Sequence, residues 1–172
     1  MTSLMTPAIL LLALVTAERL GELWLARRNT AALLARGAFE VAPGHYPLIV
    51  LLHAAWIISL WWSGWSNPLN SFWLAVFLAL QAARVWVLAT LGPRWTTRII
   101  VLPGAPLVTA GPYRFVSHPN YLVVIAEIAA LPLCLGLPWH ALVFSALNLA
   151  VLMIRIRAEN ASLMGSRGAA SP

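Results

Sequence analysis

The chain has 172 residues, of which 61% are hydrophobic and only 9% charged, with a mean hydropathy of +0.83. A soluble domain carries about 25% charged residues, so this composition excludes an ordinary water-soluble fold and places the chain among membrane proteins. The net charge of +6 comes from eleven arginines against five glutamates, with no lysine or aspartate and no basic stripe outside the apolar framework. That excludes nucleic acid as a partner and reads as membrane topology and contact with anionic headgroups. A single cysteine, Cys134, excludes an intrachain disulfide framework, and the four histidines share no ligand spacing, so no metal site is expected.

At about 20 residues per crossing, the length suits an all-α integral membrane protein of about five spanning helices in one domain, residues 1–164. The first apolar segment, about 4–26, has neither a positive n-region nor a small-residue cleavage site and is read as a retained helix. Near its end Glu18 and Glu22 share a face, and Arg19 and Glu22 are spaced to pair; an ordinary interfacial helix end accounts for all three. A short interfacial helix is expected within 27–45, in RRNTAALLARGAFEV. The second segment, 46–62, holds one polar residue, His53, which reads as a satisfied core histidine. The third, 71–91, has Arg84 one or two turns inside it, either snorkelling to the surface or lining a polar cavity. Residues 92–120 then form a connection dense in Gly and Pro, too long for a mere tether. The fourth segment, 121–135, contains Glu127, which either pairs with Arg84 or another helix or forms the wall of a polar cavity. The fifth, 138–154, follows after only LGLPW, so the last two segments should form a tight antiparallel hairpin. A disordered tail is expected over 165–172.

Arginine placement sets the expected orientation. Arg19, Arg27, Arg28 and Arg36 flank the first connection, Arg94, Arg98 and Arg114 the third, and Arg155, Arg157 and Arg167 the C-terminal side. The N-terminus, SGWSNPLN and LGLPW carry none, so the N-terminus is expected outside and the C-terminus in the cytosol. Trp61, Trp62, Trp65, Trp73 and Trp139 cluster at the arginine-free ends, as an aromatic belt does, and His140 falls on that outer side.

Two polar clusters share the cytosolic side: GPYRFVSHPNY at 111–121 and RIRAEN at 155–160. The hairpin brings them together, so His118 and Arg155 become neighbours. Pro119 suits a helix start, and Gly111-Pro112 enforces a turn. Such a pocket fits a ligand with a carboxylate, ribose hydroxyls, a flat base and a cation. Arg114 or Arg155 would pair the carboxylate, Glu159 would take ribose hydroxyls or an amino group, and Tyr113 or Tyr121 would face a sulfonium. S-adenosylmethionine meets this description, although spacing alone does not single it out. No P-loop, Gly-x-Gly-x-x-Gly or Gly-x-Ser-x-Gly elbow is present.

The run LGPRWTTRIIVLPGAPLVTAGPYRFVSHPNYLVVIAEIAALPL, followed by RIRAENASL, resembles the isoprenylcysteine carboxyl methyltransferase family of integral membrane enzymes. The matching positions are Gly111, Tyr113, Arg114, His118, Pro119, Tyr121, Arg155 and Glu159; ERLGELWLARRN also resembles a bacterial branch. The resemblance implies S-adenosylmethionine bound by the part about 92–164, near Leu107, Val108, Gly111, Tyr113, Arg114, His118, Pro119, Glu159 and Asn160. It places Arg155 and Tyr121 beside the reacting methyl, with Trp95, Arg98 and Glu127 facing the acceptor. Two positions depart from the family pattern. Ser117 stands where arginine is usual, leaving Arg114 or Arg98 to compensate, and Asn160 stands where a second glutamate is common.

The implied reaction is in-line methyl transfer, in which positioning supplies much of the rate. Cofactor would enter from the cytosol and a lipophilic acceptor from the bilayer; no obligate protein partner is evident. The arginine-only, alanine-rich composition suggests a GC-rich bacterial genome, hence an inner-membrane location, and most bacteria lack prenylated protein substrates. The preferred acceptor is the hydroxyl of a small alkylated polyketide-type lipid, an alkylresorcinol or alkylpyrone. Prenylcysteine carboxyl methylation and phospholipid amine methylation are the rivals, and a non-catalytic membrane scaffold is the reading of another class.

Overall fold

The computed structural model describes residues 6–168, with side chains described to Arg157, His45 excepted. Five helices dominate: α1 (Pro7–Leu34), α2 (Tyr46–Gly64), α3 (Ser71–Leu91), α4 (Pro119–Cys134) and α5 (Pro138–Gly168). A two-residue antiparallel ribbon joins β1 (Phe39–Glu40) to β2 (Ile100–Val101), tying the first connection to the third. Thr6 caps α1, accepting from the Ile9 amide at 3.2 Å ahead of Pro7. Asn70 caps α3 in the same way, accepting from the Trp73 amide at 3.2 Å.

Two expectations from the sequence are corrected here. Residues 27–34 do not form a separate interfacial helix; they extend α1, because no glycine or proline interrupts the chain between Gly21 and Gly37. The expected tail is also partly helical, since α5 continues to Gly168; residues 169–172 lie outside the described residues.

Three helices, α2, α3 and α5, are long and apolar enough to cross a membrane; α4 is a shorter apolar helix of 16 residues, about 24 Å long. Large apolar side chains line the outside of the bundle, among them Trp24, Leu51, Ile58, Phe72 and Trp62, the last 84% exposed. A surface of this kind suits lipid and not water. The chain is an integral membrane protein.

The two ends of the bundle differ. At one, the Thr6 hydroxyl donates to the Trp65 carbonyl at 2.7 Å, the Asn70 amide to the Cys134 carbonyl at 2.8 Å, and the Asn67 side chain to the Leu135 carbonyl at 2.8 Å. These bonds gather the start of α1, the α2–α3 connection and the α4–α5 turn. At the other end, Asn29 of α1 donates to the Gly92 and Trp95 carbonyls at 3.2 and 2.8 Å, and Arg155 of α5 to the Thr97 carbonyl at 2.6 Å. The arginine-bearing connections all lie at this second end.

Packing follows the same division. α4 packs between α3 and α5, and α2 contacts both α1 and α5. In the arginine-free half, Leu12, Val15, Trp56, Leu60, Phe77, Ile128 and Leu131 close into a core. In the other half the helices splay around a cavity.

The connection 102–118 folds back along the end of α3. Arg94 donates to the Pro106 carbonyl at 2.7 Å, and the Phe115 ring sits 6.5 Å from Trp86. Gly111 opens a 3-10 turn, Gly111–Arg114, with φ of +55°. A Cβ there would lie 2.4 Å from Thr90 Oγ1 and 3.2 Å from Trp86 Nε1, so only glycine fits. Gly111→Ala is expected to cost about 1–3 kcal/mol through strain and loop displacement, lowering the thermal midpoint in detergent. Gly44→Ala, where a Cβ would meet nothing within 4 Å, should leave it unchanged.

Candidate functional site

Four charged side chains from three helices meet in the cavity half. Arg19 Nη1 donates to Glu22 Oε2 at 3.0 Å and Arg19 Nη2 to Glu127 Oε2 at 2.9 Å. Arg84 Nη1 reaches Glu127 Oε2 at 2.8 Å and Nη2 reaches Glu22 Oε2 at 2.6 Å, while Arg84 Nε also donates to Glu22 Oε1. Glu18 approaches Arg84 Nε at 3.7 Å. Arg84 therefore does not snorkel: it is 6% exposed and joins α1, α3 and α4. Glu127 takes the pairing role, and Glu22 is not an ordinary interfacial end but a buried partner of Arg84.

Arg19, Glu22 and Arg84 form one wall of a cavity of about 330 Å³. Most of its remaining lining is apolar, from Leu23, Ile49, Ile57, Val124 and Leu152 among others. At its arginine-rich end stand Tyr46, Trp95, Thr97, Tyr121 and Arg155. Pro119 opens α4 and sets Tyr121 in its first turn. Arg155, 8% exposed, donates from Nε to Tyr121 Oη at 2.8 Å and from Nη1 to the Thr97 carbonyl. Its guanidinium lies 5.5 Å from the Tyr121 ring centre, and the His118 ring stacks on Tyr121 at 5.1 Å and 9°. One aromatic ring thus links the two sequence clusters across 34 positions.

The other sequence-predicted residues divide clearly. Trp95 is buried and lines the cavity. Arg98 instead pairs with Glu40 at 2.7 Å and lies over the Tyr46 ring at 4.4 Å; the Glu40 hydrogen bond moves its pKa further up. Leu107, Val108, Gly111, Tyr113 and Arg114 lie on the connection docked against α3 and are not among the cavity-lining residues. Glu159 and Asn160 have side chains outside the described residues. His140 packs with Trp139 and Phe144 around a separate small hollow. Sequence reasoning missed Asn29, which anchors the 92–95 turn, and Asn148, buried on the cavity wall. The signal for Asn148 was its position seven residues before Arg155, on one helical face.

A model of the isoprenylcysteine carboxyl methyltransferase (ICMT) family matches residues 73–165, spanning both polar clusters and the hairpin between them. The chain belongs to the ICMT family. It is also similar to the uncharacterized protein YpbQ of Bacillus subtilis, at 39% identity over 90% of this chain and 95% of that one. A second relative, an uncharacterized protein of Haemophilus influenzae, is 28% identical over 88% of this chain and 91% of its own. No solved structure matches the chain. Family membership points to a membrane methyltransferase.

S-adenosylmethionine is the cofactor that ICMT-family membership implies, and the described residues fit it. Asn120 Oδ1 is buried beside Tyr121 on the cavity wall with no hydrogen-bond partner among the described residues, an acceptor suited to a ligand hydroxyl or amino group.

Removing one member of the buried ion network strands the others. Arg84→Leu is expected to cost about 3–5 kcal/mol, read as loss of helicity on heating in detergent. Adding Glu22→Gln and Glu127→Gln should recover part of that loss.

Proposed function

We propose that this ICMT-family protein is an S-adenosylmethionine-dependent O-methyltransferase acting on a lipophilic acceptor in the membrane. The observation that supports it best is the cavity. Its walls are apolar enough for a lipid-like molecule, and it ends on Arg155 and Tyr121, which belong to the family-matched region. By the positive-inside rule, we place that end on the cytosolic side of a bacterial inner membrane, where a soluble cofactor is available.

When bound, S-adenosylmethionine supplies a methyl group activated on a sulfonium. The chain's own residues provide position and charge. Arg155 is held by Tyr121 and Thr97, so its guanidinium stands fixed at the cavity end. A fixed cation there stabilises the acceptor oxygen as an anion once its proton has passed to water at the mouth of the site, before the methyl is transferred. A phenol or enol needs that help, since a phenol pKa is about 10. Trp95 and the apolar wall exclude water from the same end. His118 stacks on Tyr121 and holds it, and the matched pattern puts Glu159 one turn beyond Arg155.

The acceptor this arrangement suits is the hydroxyl of a small alkylated polyketide-type lipid. A phospholipid amine fits poorly, because each methylation step brings it closer to a fixed ammonium beside Arg155. The guanidinium also suits a carboxylate, which makes carboxyl methylation of prenylcysteine the second reading.

Calorimetry of the folded, detergent-purified protein with S-adenosylmethionine tests the cofactor. Binding is expected in wild type, weakened at least tenfold by His118→Ala or Glu159→Ala and unchanged by His140→Ala. Folded wild type that binds none of it would favour a non-catalytic scaffold. Radiolabelled methyl transfer to extracted lipids tests the acceptor. The label should resist mild base as an aryl or enol ether does; label found only on base-labile esters overturns the hydroxyl reading in favour of carboxyl methylation.

A further inference from the structure

Two polar side chains deep in the cavity have no part in the methyl-transfer reading. Asn148 of α5 is 2% exposed and lines the cavity, and its Nδ2 has no hydrogen-bond partner among the described residues. A native fold seldom leaves a buried amide donor unpaired, and every such group calls for a reason. His53 of α2 lines the same cavity, with Nδ1 2.9 Å from the Ile49 carbonyl. A carbonyl only accepts, so Nδ1 carries the ring proton, and in the neutral ring Nε2 is the acceptor.

The two residues lie at one depth. Thr97 marks the rim: its carbonyl accepts from Arg155 at 2.6 Å and its hydroxyl donates to Tyr46 Oη at 3.3 Å. Tyr46 and Arg155 therefore share a level. From that level His53 is seven residues inward along α2, and Asn148 is seven residues inward along α5. Seven residues are two helical turns, about 10 Å, and return to nearly the same face. α2 and α5 pack against each other, and both positions line one cavity.

We propose that His53 and Asn148 form a hydroxyl-binding subsite. Asn148 Nδ2 donates to the hydroxyl oxygen, and the hydroxyl proton goes to His53 Nε2. One donor and one acceptor match a hydroxyl and reject a hydrocarbon, which would leave both groups unpaired. The ligand is thus a lipophilic molecule with a second hydroxyl about 10 Å inward of the Arg155 end. The inference rests on the cavity being the acceptor's site. Its test reads binding and not methyl transfer, so the two fail separately.

The test is competition between decane-1,10-diol and decan-1-ol for the detergent-solubilised full chain, read by native mass spectrometry. The diol is the more hydrophilic probe, so partitioning alone favours the mono-alcohol. Wild type is expected to prefer the diol by about tenfold, the scale of one well-placed hydrogen bond in a buried site. Asn148→Leu and His53→Phe should each abolish that preference while still taking up decan-1-ol. Wild type that takes the mono-alcohol as readily as the diol overturns the proposal, as does a preference surviving in both variants. Should Asn148→Leu not fold, the wild-type competition and His53→Phe still decide.

Discussion

Arg84 reaches from α3 to Glu22 on α1 and to Glu127 on α4, and Arg19 closes the ring from α1. Inside a membrane these groups have no bulk water to fall back on. A lone carboxylate or guanidinium there is costly, whereas a ring in which each charge meets opposite ones offsets much of that cost. Lipid also offers little hydrophobic drive for helix association, so polar links of this kind weigh more than apolar contact alone. The ring fixes α1 against α3 and α4 at one depth. It is the reason a helix as charged as α1 belongs inside the bundle.

Once α1 is held there, the cavity follows. Apolar packing fills only the arginine-free half, where Leu12, Trp56, Phe77 and Leu131 meet. In the other half the α1 and α3 side chains Arg19, Glu22 and Arg84 face inward and are held by ion pairs of the ring, so they do not interdigitate with α2 and α5. The space left over is lined by the ring on one side and by α2, α4 and α5 elsewhere. Of the two glutamates in the ring Glu22 lines this space and Glu127 does not, and the Oε2 of each is committed to arginines. Charge control at the reacting end therefore falls to Arg155, which two of its five N–H donors fix to Tyr121 and Thr97. Position and electrostatics come from the same two bonds.

Much of this was legible in the sequence, and the remainder was hidden for physical reasons. α3 was readable at both ends because Asn70 caps it and Gly92 stops it. The hairpin was readable because three residues between α4 and α5 permit no other arrangement. The meeting of His118, Tyr121 and Arg155 followed from that hairpin. Glu22 was misjudged because periodicity shows neighbours on one helix, and its partner Arg84 lies 62 positions away. The extent of α1 was misjudged because a polar run such as RRNTAALL suits a surface helix and a helix extension equally. The path of the 102–118 connection was not legible at all: it depends on Thr90 and Trp86 offering a surface that only Gly111 can approach. Asn148 was missed because its one signal, the seven-residue spacing to Arg155, marks a shared helical face and not a cavity.

The departure at Ser117 can now be weighed against geometry. Ser117 is exposed, between exposed Val116 and the half-buried His118 that stacks on Tyr121. The side chain at 117 therefore supports neither α4 nor the Tyr121–Arg155 pair. Arg155 reaches its position through Thr97 and Tyr121, and α4 begins where it does because Pro119 is buried at its first turn. Arg114 is likewise exposed on the same connection and keeps a cation within it. Replacing an arginine at 117 with serine thus changes the charge on the outer face of the loop, where a cation acts on whatever approaches from water. It leaves intact the stacked and hydrogen-bonded arrangement at the cavity end, on which positioning of an acceptor would depend.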